Sequence, residues 1–222
     1  MIKVYYCDNH VIVAYKEKGI LSQPDGSNKL DMLTILKDYI KEKYNKPGNV
    51  FLGLVHRLDI NTSGVMVFAR TSKGAERLSE AVSKHLLRKK YIATVEGVLT
   101  NKDYIKLVNY IYKDEKEKKS YISNTGKESI LEYRALRNYK IDSHDVTDID
   151  VNLLTGRFHQ IRCQMANIGH PLYGDKKYGS KYSIDNNSFP LEAYELTFPH
   201  PITKEMMTFR SMEVKDEAWC WN

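Results

Sequence analysis

Short runs of β-branched and aromatic residues, each bounded by turn-forming residues, constrain the fold of this chain more than any other feature. The first two runs, Ile2–Tyr6 and Val11–Tyr15, flank Asp-Asn-His and therefore predict a β-hairpin. Runs of the same kind predict further strands at Phe51–Leu58, Val65–Ala69, Tyr91–Val98, Ile130–Tyr139, Ile149–Leu154, Ala193–Phe198 and Met206–Met212. Most connections between these runs have the length of a hairpin turn or a short loop.

Three segments instead carry apolar residues at helical spacing: Leu30–Tyr44, Ser72–His85, and a segment from Phe158 to Ile168 that ends before Gly169. Asp31 lies near the start of the first helix, and Thr71 or Ser72 is the N-cap expected for the second. Because strands outnumber helices, the sequence predicts an α+β fold with a mixed, largely antiparallel sheet and flanking helices. No Gly/Pro/Ser linker divides the chain, so a single domain over residues 1–222 is expected.

Composition and charge reduce the number of possible functions but do not identify one. The chain has 34 Lys and Arg against 28 Asp and Glu, a net charge of +6 that suits a polyanionic partner but does not prove one. Cys7, Cys163 and Cys220 lie far apart without a CxxC pair, which argues against a disulfide framework and a structural zinc site. The sequence has no signal-peptide pattern and no long apolar run, so we expect a cytoplasmic protein.

The first concentration of reactive residues is the segment His56–Asp59, which leads into the turn-forming residues Asn61-Thr-Ser-Gly64. If the segment is extended, Arg57 and Asp59 share one face, and His56 and Leu58 point the other way. A carboxylate would then stand at a strand end beside a polar turn, where catalytic groups often lie. From the residues alone, it stays open whether Asp59 is catalytic or begins a turn and pairs with Arg57 at the surface.

The second concentration is the segment Thr155–Arg162, which places many hydrogen-bond donors at the start of the third predicted helix. Backbone N–H groups and the helix dipole favour an anion at that position, and arginine adds a planar fork for phosphate. A solvated basic turn whose apolar residues pack inward would give the same pattern, and that alternative also stays open.

Together these segments resemble one family. His56–Arg70 reads HRLD-x-x-TSGVMVFAR and Thr155–Arg162 reads TGRFHQIR, and both resemble motifs of the RluA-type pseudouridine synthases. Lys89–Gly97 is similar to the family strand K-x-Y-x-A-x-V-x-G, and Gly169–Gly179 to its loop G-H-P-I-x-G-D-x-x-Y-G. Leu191–Pro201 is similar to L-H-A-x-x-L-x-F-x-H-P. The resemblance spans nearly the whole chain in the family's order and corresponds to its catalytic domain without the S4 RNA-binding domain.

The resemblance implies an isomerase that converts specific uridines of structured RNA, tRNA or rRNA, to pseudouridine, with no metal and no cofactor. Asp59 would be the essential carboxylate, Arg162 its ion-pair partner, and Tyr91 the ring that stacks on uracil and a candidate for handling the C5 proton. Arg57 would help to fill the space left by the flipped base. The substrate-binding residues would be Arg57, His56, Thr62, Arg157, His159 and Gln160. We expect a monomer without an obligatory protein partner and without membrane association.

Two alternatives and two departures accompany this interpretation. A non-catalytic RNA-binding or RNA-folding module could retain the fold, although loss of Asp59, Tyr91 or Arg162 would be its signature and all three are present. A hydrolase would need a second carboxylate, for which Asp175 is the candidate; we expect Asp175 to order its loop instead. The departures are Lys16–Gly19, where the family usually has K-P-x-G, and Glu192, where His is common.

Overall fold

The computed structural model describes residues 2–184 and 188–211, which divide into two compact units. Unit 1 contains residues 2–88 and Ala193–Ser211, and unit 2 contains Lys89–Glu192. The expectation of a single domain over residues 1–222 stays a prediction.

The strands of the described residues are, in chain order, β1 Val4–Cys7, β2 Val11–Lys16, β3 Gly53–Leu54, β4 Ser63–Ala69, β5 Arg88–Glu96, β6 Ile105–Asp114, β7 Lys119–Ile122, β8 Lys127–Ile141, β9 His144–Leu153, β10 Leu191–Pro199 and β11 Met206–Arg210. The helices are α1 Met32–Lys43, α2 Ser72–Ser83 and α3 Gln160–Asn167, with a short 3-10 turn at Lys176–Tyr178. The predicted α+β class, with a mostly antiparallel sheet, is confirmed.

In unit 1 the strands follow the order β1, β2, β4 and then β10 from Ala193 onward, with β3 on β4 and β11 on β10. The predicted hairpin is present, because β1 pairs antiparallel with β2 and Cys7 lies opposite Ile12. Valines from β2 and β4 pack with Leu78 of α2 and Phe198 of β10 in a core closed to solvent. Burial of these apolar side chains is the main force that holds the unit together.

Side-chain caps define the two helices of unit 1. Asp31 accepts a hydrogen bond from the Thr34 N–H at 3.0 Å, and Thr71 accepts one from the Gly74 N–H at 3.0 Å. These bonds satisfy N–H groups that have no partner within the helix. Helix α2 begins at Ser72 as predicted, and α1 begins at Met32, two residues after the predicted Leu30. Within residues 2–184 and 188–211, no helix is both long enough and apolar enough to span a membrane.

Unit 2 is built on the antiparallel order β5, β9, β8, β6 and β7. Strands β6 and β7 were not predicted from the sequence. One face of β6 carries Val108, Tyr110 and Tyr112, which are about half exposed, so this strand lacks the buried apolar face of the predicted strands. The mixed-charge run that begins at Lys113 provides the turn between them.

Several element boundaries differ from the predictions; β9, for example, begins at His144 rather than at Ile149. The strand expected at Phe51–Leu58 is reduced to β3, because only Gly53 and Leu54 pair with β4. Helix α3 begins at Gln160, so Phe158 precedes it; His159 has φ of 52°, a left-handed conformation that a right-handed helix cannot include. The last strand ends at Arg210, and Met212, the end of the predicted strand, lies outside the described residues.

Candidate active site

The segment that carries Asp59 in unit 1 belongs to no strand, but the burial of its side chains alternates along the chain. His56 and Leu58 are buried, Arg57 is exposed, and Asp59 is partly exposed. This alternation is the one that a period of two predicts. Asp59 is therefore directed to the same side as Arg57.

Side chains, rather than strand pairing, hold this segment in place. Ser22 Oγ accepts a hydrogen bond from the Leu58 N–H at 3.0 Å and donates one to the Leu58 carbonyl at 2.8 Å. The Val67 N–H of β4 donates to Nε2 of His56 at 3.1 Å. These bonds fix the backbone on both sides of Arg57. They give His56 a structural part, and its role in substrate binding stays a prediction.

The turn after Asp59 is hydrogen-bonded to a buried lysine, Lys16, which was not predicted as a site residue. The Thr62 N–H donates to the Asp59 carbonyl at 3.0 Å. Lys16 has no exposed side-chain surface, and its Nζ donates to the carbonyls of Ile60, Ile20 and Glu17 at 3.2, 2.7 and 3.1 Å. The available signal was Lys16 itself, because lysine also begins the family's K-P-x-G, from which the Lys16–Gly19 segment departs at Glu17.

Burial lowers the pKa of Lys16 to about 8, and the charges of Asp59 and Glu17 act in the opposite direction. The ammonium group remains protonated in most molecules at neutral pH. The Lys16 ammonium group and the Asp59 carboxylate therefore attract each other.

Gly64 closes the turn onto β4. Its φ is +137°, and a Cβ atom at this position would lie 2.4 Å from the Ala193 carbonyl oxygen. The close approach of two backbones therefore requires glycine. Thr62, a predicted substrate-binding residue, is buried just before it, and its contact with substrate stays a prediction.

In unit 2, Tyr91 lies on β5 opposite Val151 of β9, and its side chain is 5% exposed. Strand pairing fixes the backbone of this tyrosine. Its roles in stacking on uracil and in handling a proton stay predictions.

The turn before α3 is shaped by a buried glutamine. Gln160 Oε1 accepts hydrogen bonds from Thr155 Oγ1 at 2.8 Å and from the Arg157 N–H at 3.0 Å. Its Nε2 donates to the Ile130 carbonyl at 3.1 Å and to Gln164 Oε1 at 2.9 Å. These four bonds use the hydrogen-bonding capacity of one amide. They give Gln160 a part in shaping the turn, and its contact with RNA stays a prediction.

The next glutamine continues this network. Gln164 Nε2 donates to Asn109 Oδ1 of β6 at 2.8 Å and lies 3.2 Å from the Ser129 carbonyl of β8. Buried amides thus connect the turn, α3 and two strands.

Arg157 and His159 occupy the two sides of the turn. The exposed Arg157 donates from Nε to the Glu128 carbonyl at 3.0 Å. Nδ1 of His159 lies 2.9 Å from the Tyr178 hydroxyl, which accepts from the Ser120 N–H at 2.8 Å. Because the Tyr178 oxygen already accepts the Ser120 hydrogen bond, we assign the Tyr178 hydroxyl as the donor and Nδ1 of His159 as the acceptor. Burial, followed by the positive charge of Arg162 and two lysines, lowers the pKa of His159 to about 3. This imidazole is therefore neutral at physiological pH.

Arg162 and Asp175 form a buried bidentate ion pair. Nε of Arg162 lies 2.6 Å from Oδ2, and Nη2 lies 2.8 Å from Oδ1; the two side chains are 8% and 2% exposed. The guanidinium group also lies over the rings of Tyr178 and Phe189, at 4.8 and 4.4 Å from their centroids. Asp175 thus ties its loop to α3, as the sequence analysis expected. The pair of Arg162 with Asp59, which the family resemblance implies, stays a prediction.

Each unit therefore presents a chemically distinct set of side chains. Unit 1 fixes a carboxylate beside a buried cation, and unit 2 supplies a buried tyrosine together with arginine and histidine donors. In the part of the chain that the structure describes, no group of three or more His, Cys, Asp or Glu side chains could hold a metal ion. The expectation that the enzyme uses no metal and no cofactor stays a prediction.

Comparison with known proteins identifies the class of fold. The solved structure of human RNA pseudouridylate synthase domain containing 1 superimposes with a TM-score of 0.74 over 96% of this chain and 84% of that chain, at 20% sequence identity. The fold is therefore that of a pseudouridylate synthase domain.

Comparison of the sequence with known families identifies the family. Residues 10–167 match the RNA pseudouridylate synthase family. The dual-specificity RNA pseudouridine synthase RluA of Haemophilus influenzae is 32% identical over 95% of this chain and 92% of its own length. The ribosomal large subunit pseudouridine synthase D of Pseudomonas aeruginosa is 30% identical over 98% of this chain and 70% of its own length. The chain belongs to the RNA pseudouridine synthase family and is an isomerase, as the resemblance in sequence implied.

Proposed function

We propose that this enzyme isomerises uridines of tRNA or rRNA with Asp59 as its essential carboxylate. The observation that carries the proposal is the construction around Asp59. Its chain neighbours are bound to Ser22 and β4, and its charge interacts with that of a buried lysine. An ionised carboxylate held on a rigid support is what acid–base or nucleophilic chemistry on a sugar requires.

The reaction defines what the side chains must do. The N1–C1′ bond breaks, the uracil turns, C5 joins C1′, and the proton of C5 is lost while N1 gains one. Atoms and electrons balance without water or an oxidant. Asp59 acts on the sugar, and Tyr91 stacks on the uracil and takes part in the transfer of the C5 proton. Arg162 completes the charge balance by pairing with Asp59.

Contacts with the RNA must offset the free energy of removing the uridine from its stack. A uridine in folded RNA must leave its stack, at a cost of about a few kcal/mol. Arg57 fills the space that the base leaves, and Arg157 and His159 bind neighbouring phosphate groups, where a neutral imidazole acts as a hydrogen-bond donor. The name of the Pseudomonas aeruginosa relative, a ribosomal large subunit pseudouridine synthase, supports rRNA as a class of substrate, and we propose tRNA from the family resemblance. We place the enzyme in the cytoplasm, acting as a monomer on structured RNA.

The experiment that tests the proposal uses RNA transcribed with tritium at C5 of uridine, because the reaction releases this label to water. Unmodified tRNA and large-subunit rRNA transcripts serve as substrates. Wild-type protein should release tritium with multiple turnover, and Asp59→Asn should release none while it still binds RNA. Asp38→Asn is the matched control, because Asp38 is exposed on α1.

Multiple turnover by purified Asp59→Asn protein would remove Asp59 from its role. Absence of turnover by wild-type protein on every tRNA and rRNA transcript, with binding retained, would favour the RNA-binding module instead. Chemical mapping of pseudouridine in total RNA from cells with and without the gene would then identify the modified position.

A further inference from the structure

Lys89 is a cation that the chemistry described above leaves unused. It lies on β5 two residues before Tyr91, so the two side chains emerge on the same face of the strand. A Cβ atom on Gly156 would lie 3.1 Å from Nζ of Lys89, so the lysine reaches the glycine of the GRFHQIR turn. The absence of a side chain at residue 156 gives the ammonium group its space.

This ammonium group differs from two buried cations of the described residues, Lys16 and Arg162. Lys16 is bound by three carbonyls and Arg162 by Asp175. Among residues 2–184 and 188–211, Lys89 Nζ has neither a hydrogen bond nor an ion pair, although the side chain is partly buried. Burial lowers the pKa of Lys89 to about 8. A desolvated cation without a partner is unfavourable, and an anionic ligand would remove that cost.

We propose that Lys89 binds a phosphodiester group of the RNA strand beside the nucleotide whose base contacts Tyr91. This proposal rests on the proposed function and adds a positioning residue to it. Along a strand, residues two apart are separated by about 7 Å, so a base against Tyr91 and a neighbouring phosphate can be bound together. The phosphate carries the full negative charge that an ammonium group needs, whereas the uracil oxygens are neutral. Arg157, the residue after Gly156, adds a second cation to the same turn.

Lys89→Met tests the proposal, and Lys90→Met is the matched control. Lys90 carries the same charge on the adjacent residue but lies on the opposite face of β5, paired with Asn152. Each change is combined with Asp59→Asn, so that the RNA is bound but not converted. The probe is a stem-loop transcript that contains the uridine converted by the wild-type enzyme. If no RNA is converted, the probe is an unmodified tRNA transcript.

The first measurement is the dependence of the association constant on salt concentration. Lys89→Met should reduce the slope of log K against log salt by about 0.7–0.9, the amount expected for one phosphate contact. Lys90→Met should leave the slope unchanged. Thermal melts establish that both variants fold, and Lys89→Gln replaces Lys89→Met if the latter does not.

The second measurement places a neutral methylphosphonate at each linkage that flanks the uridine. At one linkage the neutral group should weaken RNA binding by the Asp59→Asn protein. The same substitution should not affect the protein that also carries Lys89→Met, because that protein already lacks the contact between Lys89 and the phosphate. Equal salt slopes for Lys89→Met and Lys90→Met, or equal sensitivity to every neutral linkage, would overturn the proposal. Absence of turnover by the wild-type enzyme would instead contradict the proposed function. It would leave the binding measurements unchanged, so the two failures can be distinguished.

Discussion

Removal of Asp175 provides a direct test of the buried ion pair in unit 2. Asp175→Ala would leave the Arg162 guanidinium group, 8% exposed, without the carboxylate that binds it through two nitrogen atoms. Removing one partner of a buried pair typically costs about 3–5 kcal/mol, because the remaining charge is desolvated without compensation. Arg162 would also lose the contact that orients it over Tyr178 and Phe189.

The expected change in melting temperature follows from this free energy. In a protein of this size, about 1 kcal/mol shifts the melting temperature by roughly 2–4 °C, so Asp175→Ala should lower it by about 6–20 °C. The assay is thermal unfolding followed by circular dichroism. The control is Glu80→Ala, which removes an exposed ion pair with Lys84 and should leave the melting temperature nearly unchanged.

A double variant separates the ion pair from the packing around it. Replacing both residues, as Arg162→Met with Asp175→Leu, removes both charges and should recover most of the stability lost in Asp175→Ala. Turnover should remain absent in the double variant, because the arginine is missing. An Asp175→Ala protein that melts within about 1 °C of the wild type, far less than a broken buried pair costs, would refute the reasoning.

Three further predictions concern single residues. Tyr91→Phe keeps the ring and deletes the hydroxyl group, so RNA binding should change little while tritium release falls; equal turnover would leave stacking as the whole role. Gly64→Ala should destabilise unit 1 and abolish activity because the new Cβ meets the Ala193 carbonyl, and a protein that melts normally would contradict this close approach. His159, whose pKa is about 3, should keep constant NMR chemical shifts from pH 8 to 5.5, whereas a midpoint near 6.5 would contradict its burial. As the pH falls below 6.5, His159 is protonated in the unfolded chain but stays neutral in the folded protein. The free energy of unfolding should therefore decrease, and more steeply than in His159→Phe.

The sequence predicted the parts of the fold that depend on local patterns. The caps at Asp31 and Thr71 are read from neighbouring residues, and both helices begin there. The alternation from His56 to Asp59 was also predicted, although the segment is not a strand. The segment is bound to Ser22, which is 36 residues from Leu58 in the chain, and no local pattern contains that bond.

Other site features depend on contacts that a sequence pattern does not reveal. Lys16 reaches the Ile60 carbonyl across 44 residues, so its place beside the turn after Asp59 follows only from the fold. The family resemblance implies Asp59, Tyr91 and Arg162 as site residues, which stays a prediction, and it did not give Asp175 as the carboxylate bound to Arg162. The missed strands β6 and β7 have an exposed aromatic face, and their pattern does not distinguish a strand from a solvated loop.

The amide network of Gln160 and Gln164 has a consequence for local motion. The two side chains connect the turn at Thr155, helix α3, the Ser129–Ile130 stretch of β8 and Asn109 of β6. Opening any one of these segments breaks hydrogen bonds that belong to the others. Their backbone amides should therefore exchange with solvent deuterium as one cooperative unit. The turn at Thr155 thus has the opening free energy of the strands that it is bonded to, not that of a surface loop.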